Sequence, residues 1–533
     1  MFSGDALRGR LRWLLDVTWA GRTARFAAQR TWATIDGEER EYVPGLHWQR
    51  STSARLAPYG GTPAGLSVSA TLYPIMAGLD VPALVAAGHA LGSARCKLRL
   101  YSEATDEVVT ILDGRLRDPQ WGARDEALVA TLEEMPLPDE RGALWGRYNR
   151  VLGSTFASTA ASASMEYYPI VVGSPAGYTS TDHTPYSGSP GLLVDETGGS
   201  EVVLLSMGHT VAGADGASVY LSNYGAGTSG NVTAANDHDS RGFPVTIADA
   251  SPLGTSPVDG DELWIAWRSA TNTRTYGILG PDDNPIRGLG DVLLWALRQS
   301  TVRHDEGRIA AQAARLNQYA VDTYIQRAPD RDLAPYDWVG GTLLRHFALS
   351  THVGPGGLYL LPWRHTATAD EALVHLDTET NAQRSGLAQE TTLDDVRTGV
   401  DVSYRYNPRT SRFRSTVELT GEDDNTDADR SGTLARAFAT YGPMGTTEAN
   451  LHTVQDQVTA SAVARDLAKR HGAQRTRIGY IVEQYPGGLV GPGDVVTVTD
   501  NELGYSSVVG IIVEAQWTED TTREVVIEIN GKA

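Results

Sequence analysis

The sequence predicts a mainly β, multidomain chain with α/β parts: two small β-barrels, an inserted β-domain and a helical segment. Three observations predict it. Short runs alternate apolar and polar side chains between turn residues, which is the period of half-buried antiparallel strands. Turns are frequent, since the chain holds 56 glycines and 25 prolines. Its 533 residues exceed what one hydrophobic core organises, so about three or four domains are expected.

Residues 1–150 read as a barrel-like β-domain. WLLDVTWAGRTARFA and TWATIDGEEREYVPGL each read as strand, Gly-centred turn, strand, with Asp36-Gly37 a strong hairpin signal. GLSVSATLYP puts Leu66, Val68, Ala70 and Leu72 on one face. Val81 to Gly92 reads as a short helix closed by Gly92. Strands resume from Leu98 to Glu133, with turns expected at Asp106, Asp113-Gly114 and Gly122.

At about residue 151 the composition shifts. VLGSTFASTAASAS is small and polar and reads as a linker or entry loop. Residues 151–285 form the inserted Gly/Ser-rich β-domain, with strands at YYPIVVGSP, EVVLLSMGH, ASVYLSN, PVTIAD and DELWIAWRS. Short strands and many turns predict a small sandwich.

Residues 286–390 read as a helical α/β domain. GLGDVLLWALRQS gathers Val292, Leu293, Trp295, Ala296 and Leu297, and GRIAAQAARLNQYAVDTYIQ continues at helical spacing. APYDWVGGTLLRHFALS is also helical, and GGLYLLPWR follows as a strand. DEALVHLDTETN fits a short helix or a strand equally.

Residues 391–533 read as a second barrel-like domain. TGVDVSYRYNP and SRFRSTVELTG are strands, followed by the acidic loop GEDDNTDADRSG. TASAVARDLAKRHG is a helix with Val458, Ala462 and Leu467 inward and Gly472 as C-cap. The closing stretch GPGDVVTVTDNELGYSSVVGIIVEAQWTEDTTREVVIEI alternates between the turns Pro492-Gly493-Asp494 and Asp500-Asn501 with Gly504. It places Val509, Ile511, Val513, Ala515 and Trp517 on one face. Its last run sets Val525, Ile527 and Ile529 against Glu524 and Glu528. The apolar face (Val509, Ile511, Val513, Trp517, Val525, Ile527) is expected to be core, and exposed turns are expected to make the contacts. No internal repeat of about 20–50 residues is visible.

Formal charge is −20, from 45 basic and 65 acidic residues, with a pI near 5.0. That disfavours a general nucleic-acid binder, which needs basic surface to release counterions. The single cysteine, Cys96, excludes an internal disulfide framework and any multi-cysteine zinc site. It reads as a buried structural thiol in a strand. The N-terminus lacks a long apolar core and cleavage site, and no run approaches about 18 apolar residues, so a soluble protein outside the Sec route is expected.

Chemistry is sparse. There is no H-E-x-x-H, G-x-S-x-G or phosphate loop. The acidic run from Asp423 to Asp429, within 422–430, fails the EF-hand pattern. Its sixth and twelfth positions hold Ala428 and Leu434 instead of Gly and Glu. AANDHDSRG, from Ala234, has the same problem. His209 and His346 lie in apolar surroundings that suit satisfied core histidines, and His89 with Cys96 would need adjacency in space to act as a pair. No catalytic, cofactor-binding or metal-binding residue is singled out, and no cofactor is expected. Twelve Trp and 22 Tyr against seven Phe suit an assembly protein or a carbohydrate-binding surface.

The order barrel, inserted β-domain, helical segment, barrel resembles the tail hub (baseplate hub, tail-tip) proteins of tailed bacteriophages and gene transfer agents. GPGDVVTVTDNELGYSSVVGIIVEAQW looks like their pattern in which P-G-D starts a V/T-rich strand and a later strand ends in V-x-E/D-A. YYPIVVGSPAGY with GSPGLLVD and LLSMGHTVAG resembles an inserted module of siphophage hubs. So does GDVLLWALRQS with DWVGGTLLRHFALSTHVGPGGLYLLPW. The resemblance implies a homotrimer at the distal end of the tail, its two barrels per subunit giving a pseudo-sixfold ring. It implies a distal tail protein, a tape measure protein and tail-tip or fibre proteins as partners, DNA only in transit, and a long non-contractile tail. An acidic channel would repel passing phosphates. The alternatives are a distal tail ring or receptor-binding base protein, and a tail-associated polysaccharide depolymerase or peptidase.

Overall fold

The computed structural model describes residues 10–51, 54–55, 66–122, 126–134, 170–173, 286–300, 302–325, 335–347, 349–354, 356–362, 367–386, 389–390, 393–407, 412–421, 428–482, 490–518 and 521–530, with the backbone of the strands between Ser189 and Gly277. The chain is mainly β and multidomain, as its alternating runs predict.

The first strands are β1 (Leu11–Trp19), β2 (Arg22–Ala27), β3 (Thr31–Ile35), β4 (Glu38–Pro44), β5 (Leu46–Ser51), β6 (Ala54–Arg55), β7 (Ser67–Leu72), β8 (Arg95–Ser102), β9 (Glu107–Gly122) and β10 (Ala127–Glu134). Nine of them form one sheet in the order β3-β4-β2-β1-β8-β9-β10-β7-β5, an open path among the described residues. Both expected hairpin turns form, with φ of 51° and 77° at Ala20-Gly21 and 55° and 81° at Asp36-Gly37. These left-handed pairs match the twist of the strands they join. Leu66, Val68, Ala70 and Leu72 share the buried face as expected.

Asp113-Gly114, however, is no turn, since β9 runs through it for 16 residues. A Cβ at Gly114 would sit 1.8 Å from the Glu133 carbonyl oxygen, so glycine here serves close approach of β10. The helix from Val81 stops at Ala86, capped by the Asp80 carboxylate, which accepts from the Ala83 N–H at 2.9 Å.

The strands between Ser189 and Trp267 close into a six-stranded barrel where a sandwich was expected. Leu263–Trp267 pairs with both Ser189–Thr197 and Ala217–Leu221, which joins the ends of the sheet and removes both edges. The Ile170–Val172 strand lies outside it and pairs with Thr323–Ile325. Residues 320–325, expected to continue a helix, therefore include a strand, and the preceding helix ends at Leu316.

A large core joins the helices Leu289–Gln299, Glu306–Leu316 and Gln457–His471 to the strands Gly399–Asn407 and Arg412–Thr420. Gly290 lets the first two helices approach, because a Cβ there would lie 2.4 Å from the Ala313 Cα. The helix from Pro335 continues as a wider π turn, Val339–Leu344. In Gln457–His471 the buried positions are Thr459, Ala460, Val463, Ala464, Leu467 and Ala468, so Val458 is not inward and is 74% exposed. Gly472 does cap this helix, with φ of −78°. Ala428–Tyr441 is a helix that the acidic run preceding it in sequence concealed.

The C-terminal sheet runs Val374–Asp377, Val495–Asp500, Tyr505–Trp517, Arg523–Asn530, Arg475–Val482, Ala382–Arg384. DEALVHLDTETN thus supplies a single 3-10 turn, Ala369–Glu371, and then a strand of this sheet. The cores cross the boundary expected at 390: strands before it join the last sheet, and the helix Gln457–His471 joins the central core.

Candidate functional site

The alternation in Tyr505–Trp517 breaks at Val513, where the ladder shifts register between Ile512 and Glu514. A bulge turns every later side chain to the other face. Ile512, Ala515, Val525, Ile527 and Ile529 therefore fill the sheet's core, while Val509 and Val513 are half-buried outside it. Ile511 is buried too, on the face opposite Ile512.

Trp517 goes elsewhere. It belongs to the core of the first sheet, edge-on to Trp13 at 5.3 Å, and Trp13 is edge-on to Trp48 at 5.1 Å. Its backbone N–H donates to Ser51 Oγ at 2.7 Å across a separation of 466 residues. Next to it β6 pairs with the same strand, Ala54 opposite Ala515. The Arg523 guanidinium lies over the Trp517 ring at 4.5 Å. Burial pulls Arg523 down to about 10, with Asp494 and Tyr359 opposing, and its Nε has no acceptor. From the central core His352 stands edge-on to Tyr359 at 5.2 Å, and Arg308 lies over that tyrosine at 4.6 Å. Burial, then Arg523 and Arg308, lower His352 to about 3, so it is neutral. Rings and guanidiniums from three parts of the chain thus converge at one junction.

The other face of the last sheet is sealed by charge. Glu528, 3% exposed, accepts from Arg475 at 2.7 Å, Arg470 at 2.9 Å and Arg477 at 3.0 Å. Burial alone would raise its carboxyl, and the three guanidiniums outweigh this and hold it below the usual range. The sequence placed Glu528 on the face opposite Ile527, but not this pairing.

A cavity of about 790 Å³ opens in the central core between the turn Val339–Leu344 and the strand Thr446–Asn450. His346, His452 and Tyr406 line it. His346 and His452 stack at 5.6 Å, and the His452 ring meets Tyr406 at 4.4 Å and Phe413 at 4.9 Å. His346 Nδ1 is 3.0 Å from Thr453 Oγ1, which fits the reading of a satisfied core histidine, though it also borders the cavity.

Cys96 is 1% exposed, and burial pushes its thiol up to about 12, so it is no nucleophile at neutral pH. His89 is exposed and Cys96 buried. For His209 the backbone alone is described, in a two-residue strand. The acidic segment 422–427 and residues 235–242 lie outside the described residues. Among the described residues no group of three or more His, Cys, Asp or Glu could hold a metal ion, and no helix is long and apolar enough to cross a membrane.

No protein-family model matches the sequence. No curated protein matches it either. Among solved structures the chain is similar to the tail protein from Neisseria meningitidis MC58, at TM-score 0.37 and 10% identity over 98% of this chain and 97% of that one. It is similar to the 43 kDa tail protein of prophage MuSo2 from Shewanella oneidensis, at TM-score 0.37 and 9% identity over 97% and 98%. A chain of a native gene transfer agent particle is similar at TM-score 0.34 and 12% identity, over 72% of this chain and 88% of that one. At these scores the likeness carries no role from those proteins to this chain.

Proposed function

We propose that the chain is a structural virion protein, a tail hub acting as a homotrimer that joins a sixfold tail to a threefold tip and lines or closes the DNA channel. Its portions 1–150 and 391–533 face the ring, and 151–285 and 286–390 face the tip. It works at the distal end of the tail, beside a distal tail protein, a tape measure protein and tip or fibre proteins, and performs no chemistry of its own.

The observation that carries this reading is the packing of the first sheet on the last through Trp13, Trp48 and Trp517. One subunit so offers two mainly antiparallel β units side by side, and three subunits offer six faces to a sixfold partner. The charge of −20 suits a channel that DNA must leave freely.

Light scattering of the purified chain at several concentrations, against a protomer of 57.3 kDa, tests it. A threefold mass supports the hub. A sixfold mass supports the distal tail ring instead, and turnover of a capsular or murein substrate would support the depolymerase or peptidase alternative.

A further inference from the structure

The central cavity has a chemistry that the hub reading does not use. Its walls carry flat rings, His346, His452 and Tyr406, beside the amides of Asn450 and Gln455 and the hydroxyls of Thr342 and Thr447. The histidines there are all shifted towards the uncharged form. Burial, then His452 and Arg345, lower His346 to about 3, and burial also lowers His452 and His471. The remaining formal charges among the lining residues are one cation, Arg345, and one anion, Glu448, both exposed. The cavity is therefore close to neutral overall. It offers no cationic cluster for a phosphate and no carboxylate pair for a cation.

What it does offer is an aromatic wall in which Tyr406 meets the half-open His452 ring edge-on, a surface against which the weakly positive C–H groups of a ligand can pack. Around them stand neutral donors and acceptors able to satisfy hydroxyls. Its volume of about 790 Å³ falls in the usual range of small-molecule sites, roughly 300–1,000 Å³. A purely apolar ligand would take water from the amides of Asn450 and Gln455 without replacing its hydrogen bonds, which is costly. Thr446–Asn450 is an edge strand of its three-stranded sheet, so Thr447 and Asn450 stand on a border that no neighbouring strand covers among the described residues.

We propose that this cavity binds a neutral, hydroxyl-rich ligand, a short oligosaccharide segment, with Tyr406 and His452 as its aromatic wall and Asn450 and Gln455 as its hydrogen-bonding side. The proposal is independent of the assembly state and holds for a trimer or a monomer.

The test is isothermal titration calorimetry of the full chain with chitotetraose, cellotetraose and maltotetraose, and with inorganic phosphate and tetra-alanine as controls. At least one tetrasaccharide is expected to bind with a Kd below about 1 mM. Hydrogen exchange is expected to slow at residues 446–455 in that complex. Tyr406→Ala should weaken binding roughly tenfold or more. Because Tyr406 also packs on Phe413, Asn450→Ala serves as a second variant on an exposed position and should weaken binding with the fold unchanged by circular dichroism. No binding by any of the three sugars overturns the proposal. So does undiminished binding in both variants. Binding of phosphate alone would mark a charge-driven site, and binding of tetra-alanine alone would mark strand addition at the edge. Either result also overturns it.

Discussion

Trp517→Ala is the most informative perturbation, because it removes a side chain of the last sheet from the core of the first. The ring is 2% exposed, and truncating a buried tryptophan costs about 3–5 kcal/mol. Part of that is its edge contact with Trp13, of the kind worth about 0.5–1.5 kcal/mol. The guanidinium of Arg523 also loses the face it covers, a contact worth about 0.5–2 kcal/mol. A chain of several cores need not unfold in one step, so guanidinium denaturation should be followed through probes of each sheet separately. Hydrogen exchange of β1 and of Tyr505–Trp517 supplies them. Both regions should lose protection together in Trp517→Ala. A double-mutant cycle with Trp13→Ala should return a coupling of about 1 kcal/mol or more. If β1 keeps its protection and the coupling falls within about 0.3 kcal/mol of zero, the two sheets do not stabilise each other and the reasoning fails.

Glu528→Ala should cost about 3–5 kcal/mol, since it leaves the buried Arg475 and the half-buried Arg470 without their carboxylate, and chemical denaturation at neutral pH measures it. In the wild type the folded carboxyl titrates below its ordinary 4.5, so Glu528's contribution is present above that pH and is lost as pH falls through the folded value. A variant that lost no acid sensitivity would contradict this. Glu134 has the opposite sign: at 4% exposed it is raised well above 4.5, because burial outweighs the Leu66 backbone and Arg303, with Asp113 adding to the rise. Stability therefore falls as pH rises from about 4.5 towards the folded value. Glu134→Met should flatten that slope and raise stability at pH 8 by roughly 1–3 kcal/mol, read from denaturation midpoints across pH. Gly114→Ala should destabilise the first sheet by about 2 kcal/mol or more, measured by thermal melting, because its Cβ would overlap the Glu133 carbonyl. An unchanged melting temperature would refute the close approach of β9 and β10.

Much of the local structure was legible because it depends on short stretches. Ala20-Gly21 and Asp36-Gly37 turn where glycine admits the φ above zero that the hairpin requires, and Val525, Ile527 and Ile529 share a face because the strand has a period of two. Leu289–Gln299 is helical where its apolar spacing says so. Burial of Cys96 follows from its place in a strand where it shares a face with Leu98 and Leu100. The errors have equally local causes. A single bulged residue, Val513, reversed the faces of Tyr505–Trp517, and Gly114 reads like a turn although it marks a close crossing.

What the chain's own order could not disclose is which pieces share a core. Val374–Asp377 pairs in parallel with a strand about 120 residues later, and Trp517 finds Trp13 across nearly the whole chain. The stacked His346 and His452 and the three arginines on Glu528 are likewise brought together only by the fold. Periodicity and turn chemistry act over a few residues, so the sequence by itself determined the β-rich class, its hairpins and its helices. Pairing between distant strands depends on total burial and on satisfying buried charge, quantities that exist only once the whole chain is packed. The tertiary structure alone therefore decided the junction, the closed barrel and the cavity.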